Sequence, residues 1–117
     1  MLNVIKRYTF GTIIINGHSY TSDLIIFPHR IRASWWRKEG HNCSLKDLQE
    51  AIDFEPDALV IGTGARGSTM KVNPEVVRFF EHSNMILIEQ PTDAAVNIFN
   101  KFNIDSIRVV AALHLTS

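Results

Sequence analysis

The segment "ALVIGTGARGSTMKVNPE", residues 58–75, decides between two folds. Gly62-Thr63-Gly64-Ala65-Arg66-Gly67 follows an apolar run in the G-x-G-x-x-G pattern of a dinucleotide-binding strand–turn–helix. There the third glycine opens a helix, because the pyrophosphate rests on that helix's N-terminus. Here Gly67 is followed by β-branched Thr69 and Val72, then by Asn73 and Pro74. A proline at the eighth position of a helix would remove a hydrogen bond and clash with the preceding turn. Asn73 and Pro74 instead suit the N-cap and first position of a helix that starts about there. Glu89, at the end of the next apolar run, sits where an acid would take a ribose hydroxyl, but an acid at a strand end is common. The segment therefore reads as a glycine-rich loop after a buried strand, and no NAD or FAD is expected.

Open α/β sheets usually place ligands at the carboxyl ends of their strands. Successive N–H groups in a glycine turn can form a nest for a small anion, and Arg66 adds a positive charge. Gly62, Thr63, Gly64, Arg66 and Gly67 are accordingly candidate anion-binding residues. The competing reading is conformational: the glycines only permit positive φ in a tight turn.

Outward from this loop the periods alternate. Ser44 and Asp47 have capping-box spacing, and Leu45, Leu48 and Ile52 form a helical stripe. "ALVI" and "MILIE" are short apolar runs expected as buried strands. Val76, Val77 and Phe80 face inward on the helix after Asn73. Thr92 is a candidate cap for a helix with the stripe Ala95, Ile98, Phe99 and Phe102. "RVVAALHLT" reads as a last strand. Before Ser44 the chain reads as β: "TIIIN" ends at Asn16-Gly17, a hairpin signal, and "SYTSDLIIF" runs to Pro28. "RIRASWW" alternates, with Ile31, Ala33 and Trp35 on one face and Arg30, Arg32, Ser34 and Trp36 on the other. The expected fold is a single α/β domain over residues 1–117. It has three layers: a mixed central β-sheet flanked by helices, with an antiparallel N-terminal β extension.

Length and composition agree with one ordinary globular domain: 117 residues, 45% hydrophobic and 21% charged. Twelve basic residues balance twelve acidic ones, which argues against a broad nucleic-acid or membrane surface. The lone Cys43 excludes an internal disulfide, and no apolar run approaches the ~20 residues of a membrane helix. The N-terminus lacks the marks of a secretory or organelle leader, so a cytoplasmic setting is expected.

Several segments together are similar to a known family. "SYTSDLIIFP", Trp35, "ALVIGTG", "PTDAAVNIFNKF" and "VAALHLT" resemble small archaeal and bacterial proteins of unknown function, over about Phe10 to Thr116. Their eukaryotic relatives include the mitochondrial complex I assembly factor 3 and the adipogenesis-associated protein of the same domain. The resemblance implies a three-layer α/β fold with a mixed sheet and implies no enzyme. For the mitochondrial relatives it implies help in assembling a respiratory complex by protein contact. Phe99-Asn100 stands where many relatives carry Tyr-Asn.

The remaining chemistry is sparse. The five histidines lack helical metal-pair spacing, and His41-x-Cys43 supplies two ligands at most, so no metal is expected. No nucleophile elbow marks a Ser/His/Asp triad. Asp23 and Asp93 are better explained by caps and turns than as paired carboxylates. Asp93, Asn97 and Asn100 share one helical face; asparagines are poor helix formers, so Asn100 is expected to bond loop backbone or a ligand. "HRIRASWWRKEGH" interleaves four basic residues with two tryptophans. Stacking on single-stranded nucleic acid needs more than one exposed aromatic, so a protein-partner surface at Arg30, Arg32 and Trp36 is favoured. The functional expectation is a non-enzymatic binding or assembly-type module, with a protein partner or self-association. The alternative is a small-molecule enzyme with its pocket at Gly62–Gly67.

Overall fold

The computed structural model describes residues 1–66 and 69–117. The N-terminal extension is β1 (Ile5–Thr9), β2 (Thr12–Ile15) and β3 (His18–Tyr20), an antiparallel three-stranded sheet in that order. Asn16 and Gly17 both take positive φ, 51° and 83°, and join Ile15 to His18 through a two-residue turn. The hairpin forms as its sequence dictates. β1 carries "IKRYT", whose polar residues hid it among the leading residues.

The central sheet holds β4 (Leu24–Ile26), β5 (Ile31–Arg32), β7 (Ala58–Gly62), β9 (Ile86–Gln90) and β10 (Val109–Leu113), ordered β5-β4-β10-β7-β9. β10, β7 and β9 run parallel, while β4 and β5 are antiparallel additions. β6 (Asn42–Cys43) and β8 (Lys71–Val72) make a small separate parallel pair. The helices are α1 (Gln49–Asp53), entered through a 3-10 turn at Lys46–Leu48, then α2 (Pro74–Glu81) and α3 (Thr92–Ile104).

Strand alternation builds two cores, one on each face of the sheet. Leu24, Ile26, Val60, Val109 and Ala111 join Ala95 and Phe99 of α3 and Ile13 and Ile15 of the extension. Ile25, Leu59, Ile61, Val110 and Ala112 join Leu48, Ala51, Val76 and Phe80 on the other face. The result is the expected three-layer α/β arrangement with a mixed sheet. Among the described residues no helix is long and apolar enough to cross a membrane.

Several local expectations need correction. "SYTSDLIIF" is two strands in two sheets, separated at residues 21–23. The alternating strand of "RIRASWW" stops at Arg32, because Ser34 takes φ 59° and breaks the pleat, though Trp35 is still buried. β9 is the sheet edge rather than a strand covered on both faces. Thr92 does not cap α3; Pro91 precedes the helix and the Thr92 hydroxyl is engaged elsewhere. By contrast, Ser44 and Asp47 form the reciprocal capping box, and the Asn73 side chain accepts from Glu75 N–H at the start of α2.

Candidate functional site

The glycine loop leaves β7 and turns inward. Thr63 N–H donates to Gln90 O (2.9 Å), Gly64 N–H to the Thr92 hydroxyl (3.0 Å) and Ala65 N–H to Thr116 O (2.8 Å). The Thr92 hydroxyl in turn donates to His114 O at 2.6 Å, and His114 N–H donates to Gly62 O. An anion nest needs these N–H groups pointing at solvent, and here each has a protein acceptor. The glycines answer a packing demand instead. A Cβ on Gly62 would lie 2.8 Å from the Leu113 side chain; one on Gly64, at φ +126°, would lie 2.8 Å from the Ser117 backbone. Arg66 is exposed, and Gly67 lies outside the described residues. Among the described residues after the loop, β8 is Lys71–Val72 and the next helix begins only at Pro74.

Asn100 is likewise turned to the backbone. Its Oδ1 accepts from Ile5 N–H (2.8 Å) and its Nδ2 donates to Ile5 O (2.7 Å), so the amide pairs with β1 as a neighbouring strand would. Asn103 Nδ2 donates to Asn3 O, and Asn16 Nδ2 donates to Asn3 Oδ1. Asparagines thus stitch the extension to α3, which is why the helix tolerates poor helix formers.

Beside the glycine loop, three charged or ionisable residues meet in a cluster that sequence reading missed. Asp23 Oδ2 lies 2.8 Å from Arg37 Nη2 and 2.7 Å from His114 Nδ1, while its Oδ1 accepts from Leu115 N–H. Arg37 also donates to Gly40 O, and its guanidinium rests 4.5 Å over the Trp35 ring; its buried Nη1 has no hydrogen-bond partner among the described residues. Burial opposes ionisation of Asp23, yet the hydrogen bonds from His114, Leu115 N–H and Arg37 outweigh it and hold the carboxyl below its usual range. A partial signal was available: Arg37 continues the i, i+2 phase of Ile31, Ala33 and Trp35, although of those three only Trp35 is fully buried and Ala33 is exposed. His114 Nε2 faces Ser117 O at 3.0 Å rather than a nucleophile. Cys43 is buried, and burial together with Asp47 pushes its thiol up to about 12. Asp93 is far from this role, accepting from Ala94 N–H. The cluster is a joint tying the end of β10 to the loops before β4 and after β5.

The open surface lies on the other side of that joint. A cavity of about 550 Å³ is lined by Arg32, Trp35, Trp36, Lys38, Lys46 and Glu50 among others. Trp36 stands 77% exposed at this cavity, whereas its neighbour Trp35 is 7% exposed and donates Nε1–H to Asp47 O. Glu50 on α1 receives Arg30 at 2.8 Å and Arg32 at 2.7 Å, and these contacts hold its carboxyl below the usual range. The structure therefore brings Arg32, Trp36 and Glu50 together at one cavity, while Arg30 reaches this group only through Glu50 and lies over the Phe27 ring. Lys38 and Lys46 form no ion pair among the described residues. Nor does any group of three or more His, Cys, Asp or Glu there have the geometry to hold a metal.

The whole chain has solved counterparts. A Bordetella parapertussis protein is 28% identical, covers 99% of this chain and 97% of its own, and superposes with a TM-score of 0.84. A Bordetella pertussis protein described as an Mth938-like domain is 22% identical, with 97% and 85% covered and a TM-score of 0.77. A Bartonella henselae protein described as an outer membrane protein is 20% identical, with 99% and 97% covered and a TM-score of 0.82; at such identities the last two likenesses show the fold alone. Residues 5–114 match the family described as "Protein of unknown function (DUF498/DUF598)", so nearly the full sheet, both cores and the Asp23 cluster fall inside the match and the chain belongs to that family.

Proposed function

We infer that this chain is a protein-docking module without chemistry of its own, in the manner of the assembly-factor relatives that the sequence resembles. The observation carrying this reading is Trp36, left 77% exposed at a cavity edged by Arg32, Lys38 and Lys46. A large aromatic ring in water gains nothing on folding, and aromatic and arginine side chains are the usual anchors of protein interfaces. The Glu50 contacts hold Arg32 in place beside the ring, which lowers the ordering cost when a partner arrives. Two features speak against the enzyme alternative at the glycine loop: the N–H groups of Thr63, Gly64 and Ala65 have internal acceptors, and the Asp23–His114 pair faces a backbone carbonyl.

The test is affinity capture from the source cell with wild type and Trp36→Ala, quantified side by side. A specific partner whose recovery falls at least tenfold with Trp36→Ala, at unchanged melting temperature, supports docking there. Equal recovery of every partner by the two forms refutes it. Micromolar oligonucleotide binding that weakens steeply with salt would assign the surface to nucleic acid instead.

A further inference from the structure

We propose that the open edge of β9 accepts an extended segment of another protein carrying basic residues at alternate positions, extending the central sheet by a strand. This site is separate from the Trp36 cavity.

The first argument is the backbone. β9 ends the strand order, and no described strand pairs with its outer side. On the inner side Ile86 N–H donates to Asp57 O, and Gln90 O accepts from Thr63 N–H, in parallel register with β7. Peptide groups alternate along a strand, so those of Leu87 and Glu89 face outward. An outward row of unpaired donors and acceptors is a template for another strand, and sheet proteins usually blunt it with Lys, Pro, a bulge or a very short edge. The opposite edge, β5, is two residues long and ends in Arg32. β9 is five residues of "ILIEQ", with no Lys, Pro or bulge before Pro91 and Glu89 as its one charge.

The second argument is the groove beside that edge. A cavity of about 300 Å³ runs between α2 and β9, lined by Val77, Phe80, Glu81, Leu87 and Glu89. Its floor is apolar and its only charges are the two carboxylates. Both glutamates are exposed and neither forms an ion pair among the described residues. In strand addition, main-chain hydrogen bonds supply affinity and alternate side chains supply specificity. An added strand would project every second side chain toward this groove, where the ammonium or guanidinium of a lysine or arginine meets Glu81 and Glu89 while its aliphatic stem lies along Val77 and Phe80. A second copy of this chain would bring the same two carboxylates to the same place, which favours a basic partner over self-pairing.

The experiment uses the whole chain and a labelled peptide of alternating lysine and valine, with alternating glutamate and valine as control. Fluorescence anisotropy is read together with amide hydrogen exchange. The expected result is binding at least tenfold tighter for the lysine peptide, slowed exchange at Leu87 and Glu89, and a tenfold or greater loss in Glu81→Lys/Glu89→Lys. Trp36→Ala should leave this binding unchanged, which separates the edge from the docking surface above. Absence of binding at millimolar peptide, equal affinity for both peptides, or unaltered exchange at Leu87 and Glu89 would overturn the proposal. So would protection of those two amides that grows with protein concentration alone, since it would assign the edge to a second copy.

Discussion

The loop after β7 and the loop after β5 both leave the central sheet with residues suited to binding, and they do opposite things with them. From Thr63 to Ala65 each backbone N–H is taken by a carbonyl or hydroxyl of the protein, and a Cβ has no room at Gly62 or Gly64. From Ser34 to Lys38 the chain alternates instead: Trp35 and Arg37 go in, Trp36 and Lys38 stay out. A glycine-rich loop at a strand end is thus an anion site only when its donors point outward. Here they close the gap between β7, α3 and the C-terminal segment, and the surface left for partners is the one the β5 loop exposes.

This contrast can be broken at the joint between the two loops. Asp23→Asn should destabilise the fold by about 3 kcal/mol at neutral pH, because it leaves the buried Arg37 charge without its carboxylate. The dependence on pH has a fixed sign. The folded carboxyl ionises below its unfolded value, so its contribution is complete above the ordinary aspartate range and fades as pH falls toward the folded value. Urea melts should show the gap between wild type and Asp23→Asn narrowing from pH 7 to pH 3. A gap that widens on acidification would mean that Asp23 is not held ionised by its partners.

Gly64→Ala comes next, at about 2–3 kcal/mol, since it combines positive φ with a Cβ 2.8 Å from the Ser117 carbonyl. Without the close approach to Ser117 only the positive-φ strain would remain, and the loss would fall to about 1 kcal/mol. An unchanged thermal midpoint would restore the anion reading that the inward hydrogen bonds disfavour.

Asn100→Ala should cost about 2 kcal/mol, less than Gly64→Ala, because it strands the N–H and C=O of Ile5 in a half-buried setting. Faster amide exchange confined to β1 would confirm that the amide acts as a surrogate strand. If Asn100→Ala melts like wild type, the side chain is not needed there and is free to serve a ligand.

How far the sequence could be read depended on the range of the forces involved. The Asn16-Gly17 turn, the Ser44–Asp47 box and the Asn73-Pro74 helix start are contacts within a few residues, and each formed as expected. Helix amphipathicity placed Ala95 and Phe99 in the core, though Phe102 is only partly buried. What failed was long-range pairing. β1 carries three polar residues and becomes a strand because β2 pairs with it and Asn100 seals its other edge. β9 opens on an apolar run, Ile86–Ile88, much like that of β7, and the strand order makes it an edge. Asp23, Arg37 and His114 lie far apart in sequence, so their meeting had no local mark beyond the phase of Arg37.

The smallest expected effect is the sharpest test of the contrast. Trp35 and Trp36 are adjacent and chemically identical, yet one is 7% and the other 77% exposed. Burial of an aromatic ring yields stability in proportion to the area removed from water, so Trp35→Ala should cost about 3–5 kcal/mol. Trp36 loses little area on folding, and Trp36→Ala should stay within about 0.5 kcal/mol of wild type in a chemical melt. The Glu50 contacts to Arg30 and Arg32 lie in the same region but are exposed pairs that screening weakens, so they do not tie Trp36 to the fold. A loss above about 1 kcal/mol would show that Trp36 supports the loop structurally, and the cavity would lose its claim to be a free docking surface. A neutral melt combined with lost partner capture would place the whole effect of Trp36 on recognition.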